Sequence, residues 1–347
     1  MTVLLALIIS LLAQAPQRTV QASNVNARLR GVSAVNERVT WASGSGSTVL
    51  RTDDGGTTWK KLSVTSEALD FRDIDAVDEN IAYVLSIGNG AASRIYQTVD
   101  GGATWTLQFR NEDPKVFLDA MSFWDANHGI VVGDSVEGKF YILTTGNGGR
   151  DWSRVPPDAL PPALENEGAF AASGTNIAVY GKSSAWIGLG AAARARVLRT
   201  TDGGRNWKIS ETPLKSGQSS GIFSIAFLDQ KHGLIVGGDY QKEKEATDNL
   251  ALTEDGGATW TLVQGLSGFR SVVAYMPGTK IVIAIGPSGG DYSNDGGKRW
   301  TPLSGPGFDT FSFARGQKVG WAAGARGAIG RFEFRLRSDP IERTAGQ

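Results

Sequence analysis

Thr52-Asp53-Asp54-Gly55-Gly56-Thr57-Thr58-Trp59 decides the fold, because the chain repeats its skeleton six times. The other copies carry Thr98-Asp100-Gly102-Trp105, Thr145-Asn147-Gly149-Trp152, Thr200-Asp202-Gly204-Trp207, Thr253-Asp255-Gly257-Trp260 and Ser293-Asp295-Gly297-Trp300 at the same offsets. Successive Trp residues lie 46, 47, 55, 53 and 40 residues apart. A period of about 40–50 residues with short strands is that of propeller blades. In the first unit, residues 31–35, 39–44, 48–52 and 59–62 read as four strands separated by turn residues. A seventh unit, with strands at 311–314, 319–324 and 328–332, has neither the box nor a fourth strand. Residues 17–22, with Thr19 and Val20, are the natural donor of that strand, which would pair the open edges. The expectation is an all-β, seven-bladed propeller of four-stranded antiparallel blades over residues 16–336, with a polar tail at 337–347.

Each box residue has a structural task. The Asp carboxylate and the Thr or Ser hydroxyl can bond within a hairpin turn, the paired glycines permit positive φ, and the Trp offers a large apolar surface to bury between blades. Calcium takes about six to eight oxygen ligands, and one carboxylate per turn, replaced by Asn147 in the third copy, is too few.

Composition excludes several functions. Lys plus Arg and Asp plus Glu both number 35, so no global field attracts a nucleic acid. There is no Cys, which removes disulfides, thiolate metal sites and cysteine nucleophiles. From Val3 to Ala13 the only polar residue is Ser10, and Ala13-Gln14-Ala15 has the small-x-small form of a cleavage site. Despite the absence of a preceding Lys or Arg and the presence of Pro16, this reads as a signal peptide over residues 1–15. The expected product is an exported, periplasmic or extracellular monomer with no stable membrane insertion once the signal is removed.

The boxes resemble the Asp-box, or BNR, repeat of sialidases and other propellers. The fuller pattern, a strand such as Gly129-Ile130-Val131-Val132-Gly133 or Gly320-Trp321-Ala322-Ala323-Gly324 combined with the box, resembles the photosystem II stability/assembly factor family over about residues 28–334. Residues 168–173, 220–227 and 286–292 resemble its exported bacterial relatives. The resemblance implies a non-enzymatic propeller that binds a protein partner; the sequence has no cofactor motif, and no cofactor is expected.

Aligning the units places Arg30, Arg72, Asp119, Glu167, Arg270 and Asp309 near corresponding positions at the mouth of the central channel. Blade five offers Ser219 and Ser220 there instead. One reading is a polar site for an anionic ligand or glycan, with arginines as bidentate donors; the other is a solvated rim of salt bridges. A sialidase would use three arginines and a Tyr nucleophile. Arg30, Arg72 and Arg270 with Tyr275 or Tyr292 could be drawn so, but the Arg-Ile-Pro signature is missing, and Arg94-Ile95-Tyr96 is not that motif. His128 and His232 occupy the same turn in different blades, which points to a shared structural role. No catalytic set or metal set emerges; the alternative to a protein-binding scaffold is a carbohydrate-active propeller, a sialidase-like glycosidase or a lectin, and were the chain an enzyme, a glycoside hydrolase fits best. A Gly-rich phosphate fingerprint is not supported, because Gly44-Ser45-Gly46 and residues 286–290 do not lead into helices.

Overall fold

The repeated turn is a self-contained hydrogen-bonded unit. In the first copy Thr52 Oγ1 donates to Asp54 Oδ1 (2.9 Å) and accepts the Gly56 N–H (2.8 Å). Asp54 in turn accepts the Thr58 N–H (2.9 Å) and hydroxyl (2.7 Å). The Gly N–H to Thr or Ser hydroxyl bond recurs in all six copies at 2.8–3.1 Å. These donors, the Thr58 N–H foremost, hold the Asp54 carboxyl down at about 2. The second glycine has a further task. A Cβ on Gly102, at φ +89°, would lie 3.1 Å from the Trp41 ring, so its absence lets the aromatic of the preceding blade lie over the turn.

The computed structural model describes residues 15–335. The expected leader at 1–15, except Ala15, and the tail at 337–347 lie outside the described residues. Seven four-stranded antiparallel sheets follow one another: residues 29–62, 70–110, 118–154, 177–211, 220–262, 272–303, and 310–333 completed by Gln17–Gln21. The only helical turns among the described residues are the three-residue segments Gly90–Ala92, Pro157–Ala159 and Ala325–Gly327. None is long and apolar enough to cross a membrane.

Closure occurs as the strand count requires. Gln17 to Gln21 pair with Glu333 to Ile329, filling the outer edge of blade seven. The Gln21 side chain fastens this strand to blade one: Nε2 donates to Gly55 O (2.9 Å), and Oε1 accepts the indole N–H groups of Trp59 (3.2 Å) and Trp321 (3.1 Å).

The core is a ring of interfaces, one between each pair of blades. Each box Trp joins the cluster shared with the preceding blade: Trp59 packs with Trp321, Trp105 edge-on to Trp41, and Trp152 against the cluster that holds Tyr83, Leu85 and Ile95. Trp207, Trp260 and Trp300 do the same at the next three interfaces. Blade seven has no box, and Phe308, Phe311, Phe313, Phe332 and Phe334 fill its interface with blade six. Burial of one such aromatic is worth roughly 2–3 kcal/mol on area alone, so these side chains set the ring's stability.

The inner strands are tied to one another by side-chain acceptors. Ser312 accepts the Ala34 N–H, Ser33 the Ala76 N–H, Asp75 the Phe123 N–H and Ser224 the Val273 N–H, all at 2.8–3.2 Å. Blade four has Ser184–Gly188 as its fully buried second strand. Its first strand, Ile177–Tyr180, starts ten residues after Glu167.

Candidate functional site

Four inner strands carry a β-bulge at the same level, and each bulge leaves one residue out of the ladder. The pairing skips between Leu29 and Gly31, Phe71 and Asp73, Leu118 and Ala120, and Ile222 and Ser224. The residues left over are Arg30, Arg72, Asp119 and Phe223. A bulge bends its strand and re-aims a side chain. All four of these residues line one cavity of about 1130 Å³ at the channel mouth.

Residues 168–176 close the channel beneath this cavity. They run from the loop before blade four across the ring and bond to blade after blade. Ala172 O accepts Arg30 Nη1 (3.1 Å) and Ala171 O accepts Arg72 Nη1 (3.0 Å). The Ala171 N–H donates to Asp119 and the Ala169 N–H to Asp134. Thr175 shares a hydroxyl bond with Ser224 of blade five. Ser173 donates to Ser271 O of blade six, and its carbonyl accepts from Thr310 of blade seven. The small side chains of this Gly/Ala-rich run make the approach possible: a Cβ on Gly168 would lie 1.9 Å from Asp134 Oδ1, and one on Gly174, at φ +73°, 2.1 Å from Asp73 Oδ1. The mouth is therefore a cup with a floor.

The aligned charges divide accordingly. Arg30, Arg72, Asp119, Glu167 and Asp309 line the cup; Arg270 does not. The Gly44 and Gly286 Cβ positions show why. Gly44 faces Arg28 O and Leu29 Cα, and Gly286 faces Phe269 O and Arg270 Cα. Arg270 thus corresponds to Leu29, one residue off Arg30, and a slip of one residue in a strand reverses the facing side. It fills the slot that Leu29, Phe71, Leu118 and Ile222 fill elsewhere, and Ser271 takes the cup position. There Arg270 Nε bonds Asp291 Oδ2 (2.7 Å), both side chains being 1% exposed or less. The three-arginine sialidase arrangement is not assembled. Tyr275 donates to Gly296 O in the last repeated turn, and Tyr292 is not among the cup residues. Glu167 comes from the loop, not from a strand, and is held by Arg196 through Nε (2.7 Å) and Nη2. Asp309 is held bidentately by Arg28 at 2.9 and 2.8 Å. Ser220 pairs with Asp239 in the blade-five ladder. His128 and His232 each bond the Asp three residues before them, Asp125 and Asp229, in the same outer turn.

The cup is electrostatically divided. Burial pushes the Arg30 guanidinium down to about 10, with Arg28 and Arg72 adding to the effect. Its Nε is buried with no partner, and its one hydrogen bond among the described residues goes to Ala172 O. Arg72 also bonds Asp70 through Nε (2.9 Å), which leaves its Nη2 without a partner among the described residues. On the blade-three side, burial and the neighbouring Asp134 raise Asp119 well above the carboxylate range. Burial lifts Asp134 to about 6 against the Ala169 N–H. Opposite the arginines stand Phe170 and Phe223, stacked at 4.0 Å, with Phe269 edge-on to Phe223 at 4.7 Å. Tyr240 lies edge-on to the stacked pair and is 46% exposed.

Asp134, Phe170 and Phe223 were missed from sequence. Asp134 follows the glycine that ends the second strand, where other blades have Ser45, Gly238, Pro287 or Ala325; comparing those strand ends shows it as the one acid. Phe223 needed the bulge register, and Phe170 the path of the crossing segment.

The seven sheets and the cup define a seven-bladed propeller with a floored channel mouth, and solved structures are similar to it in fold. A YCF48 bound to a D1 peptide is similar at TM-score 0.64 and 16% identity, over 92% of this chain and 97% of that one. YCF48 from Cyanidioschyzon merolae is similar at TM-score 0.63 and 19% identity, over 92% and 99%. A streptogramin B lyase is similar at TM-score 0.67 and 12% identity, over 93% and 98%. At these identities the likeness is one of fold. No family model and no curated protein matches the chain.

Proposed function

We propose that this chain is an exported, non-enzymatic Asp-box propeller that holds a segment of a partner protein in the cup at its channel mouth. The observation that carries this reading is the meeting of Arg30 and Arg72, from different blades, in one cavity, with the Arg72 side chain 27% exposed and its Nη2 unpartnered among the described residues. A guanidinium edge facing the cavity offers an incoming carboxylate a charge-assisted hydrogen bond. These directed donors, and not net charge, favour a carboxylate, because Glu165, Glu243 and Asp134 also line the cup. Likeness to a YCF48 that binds a D1 peptide supports a polypeptide as the ligand.

Titration of the full chain with an acidic peptide such as octaglutamate tests this by calorimetry. Arg30→Ala and Arg72→Ala are each expected to weaken binding about tenfold or more. Affinity is expected to rise several-fold from pH 7.5 to 5.5. The Asp134 carboxyl, at about 6, loses its negative charge in that window, while Glu, near 4.3, stays ionised. Asp134→Asn should flatten the profile. Equal binding by the Arg30→Ala/Arg72→Ala variant sinks the proposal.

A glycoside hydrolase is the second reading, favoured by the paired carboxyls Asp119 and Asp134 in one cavity. Sugar release from a glycoside panel, lost in Asp134→Asn, would put it first. Export is inferred from the apolar run between Val3 and Ala13. Mass spectrometry of the secreted chain should find it starting after Ala15, and an exported chain that keeps Met1 would refute cleavage there.

A further inference from the structure

The same bulge position supplies opposite chemistries on opposite sides of the cup. Blades one and two place Arg30 and Arg72 there, and blade five places Phe223. The crossing segment reinforces both sides. Its carbonyls at 171 and 172 orient the guanidiniums, and its Phe170 stacks on Phe223 and meets Tyr240. Guanidinium groups thus face an aromatic wall across a cavity of about 1130 Å³.

Resting on the reading of the cup as a polypeptide site, we infer that it recognises an acidic side chain and a large apolar side chain of the partner as one unit, in a fixed orientation. The acid lies toward blades one and two and the apolar group toward blades five and six. Either half alone is a weak ligand. A carboxylate on the arginines still shares the cup with Asp134 and Glu243, and an apolar group on the Tyr240 wall leaves the guanidinium groups unmet. Together they remove water from both sides at once, and Arg with aromatic residues is the composition that dominates binding energy at interfaces. The closed floor adds a constraint: a bound segment enters and leaves through the same opening, so the pair sits on a protruding tip, not on a strand running through the channel.

The test uses capped eight-residue peptides of Gly and Ser carrying one Glu and one Phe, placed one, two or three residues apart, with Glu→Gln and Phe→Ser versions. They are titrated against the full chain and against Arg72→Ala and Tyr240→Ser. At the preferred spacing the Glu/Phe peptide is expected to bind about tenfold tighter than either single-feature version. Arg72→Ala should erase the advantage of Glu and keep that of Phe; Tyr240→Ser should do the reverse. Tyr240→Ser is an exposed change, and unchanged thermal melting of both variants guards against a folding effect. If the Glu-only peptide binds as tightly as the Glu/Phe peptide at every spacing, the cup recognises charge alone: this inference falls and the proposed function stands. If no peptide binds at millimolar concentration, both fall. If anilinonaphthalene sulfonate, a small anion with an aromatic body, binds in the cup and no peptide displaces it, the occupant is a small organic anion and the inference is overturned.

Discussion

Arg270→Leu is expected to destabilise the protein by about 3–5 kcal/mol, whereas Arg270→Leu combined with Asp291→Leu should return to within about 1 kcal/mol of the parent or exceed it. The single change leaves Asp291, which is 0% exposed, without its counter-charge. The Asp291 Oδ1 already lacks a partner, and the Ser267 N–H (3.2 Å) would then be its only strong donor. The double change restores what blade one has. Arg270 sits at the Leu29 position, and Asp291 pairs with Ala284 as Leu50 pairs with Ala42. Leu29 and Leu50 are fully buried in that blade, so the slot accepts two leucines without distortion. Urea unfolding of the three variants measures this. A single variant within 1 kcal/mol of the parent would show that the pair is solvated in solution.

Removal of residues 15–22 is expected to be comparably damaging through a different mechanism. The strand Gln17–Gln21 buries little side-chain area; its residues are exposed or half-buried. It contributes a five-residue ladder against Ile329–Glu333 and the Gln21 contacts. At about 1 kcal/mol net per hydrogen bond, the loss is on the order of 5 kcal/mol. In addition, the uncovered strand presents an open edge to other chains. The expected result is a lower melting temperature with concentration-dependent association in size-exclusion chromatography. Gln21→Ala separates the two parts: it keeps the ladder but strips the acceptor from two buried indoles and the donor from Gly55, so it should be destabilised while eluting like the parent. A truncated chain that melts and elutes like the parent would refute closure by this strand.

The fold was legible because each blade writes its instructions locally. The Thr-Asp-Gly-Gly-Trp turn bonds within itself, the strands flank it at short range, and counting six boxes and one box-less unit exposes the missing strand. That Phe308, Phe311, Phe313, Phe332 and Phe334 take over from the absent seventh Trp fits the same logic, since an interface needs aromatic volume but not a particular residue.

The site was legible only in part. Arg30, Arg72 and Asp119 were placed at the mouth by alignment, and the structure brings them there. Arg270 has the same residue type in a nearly identical context, yet one residue of register sends it into the core beside Asp291. Glu167 reaches the cup from a loop with Arg196 already bound to it. The run at 168–173 gives no sign in its own composition of the route it takes. Its path depends on Arg30, Arg72, Asp119, Ser271 and Thr310, which lie between about 50 and 140 residues away in the chain. Blade number and strand order follow from contiguous residues, because turn bonding and strand alternation are short-range, and ring closure follows from counting the strands they supply. Which charges meet, which are neutralised and whether the channel is open follow from bulges and crossing segments, whose energies come from partners that only the closed ring brings together.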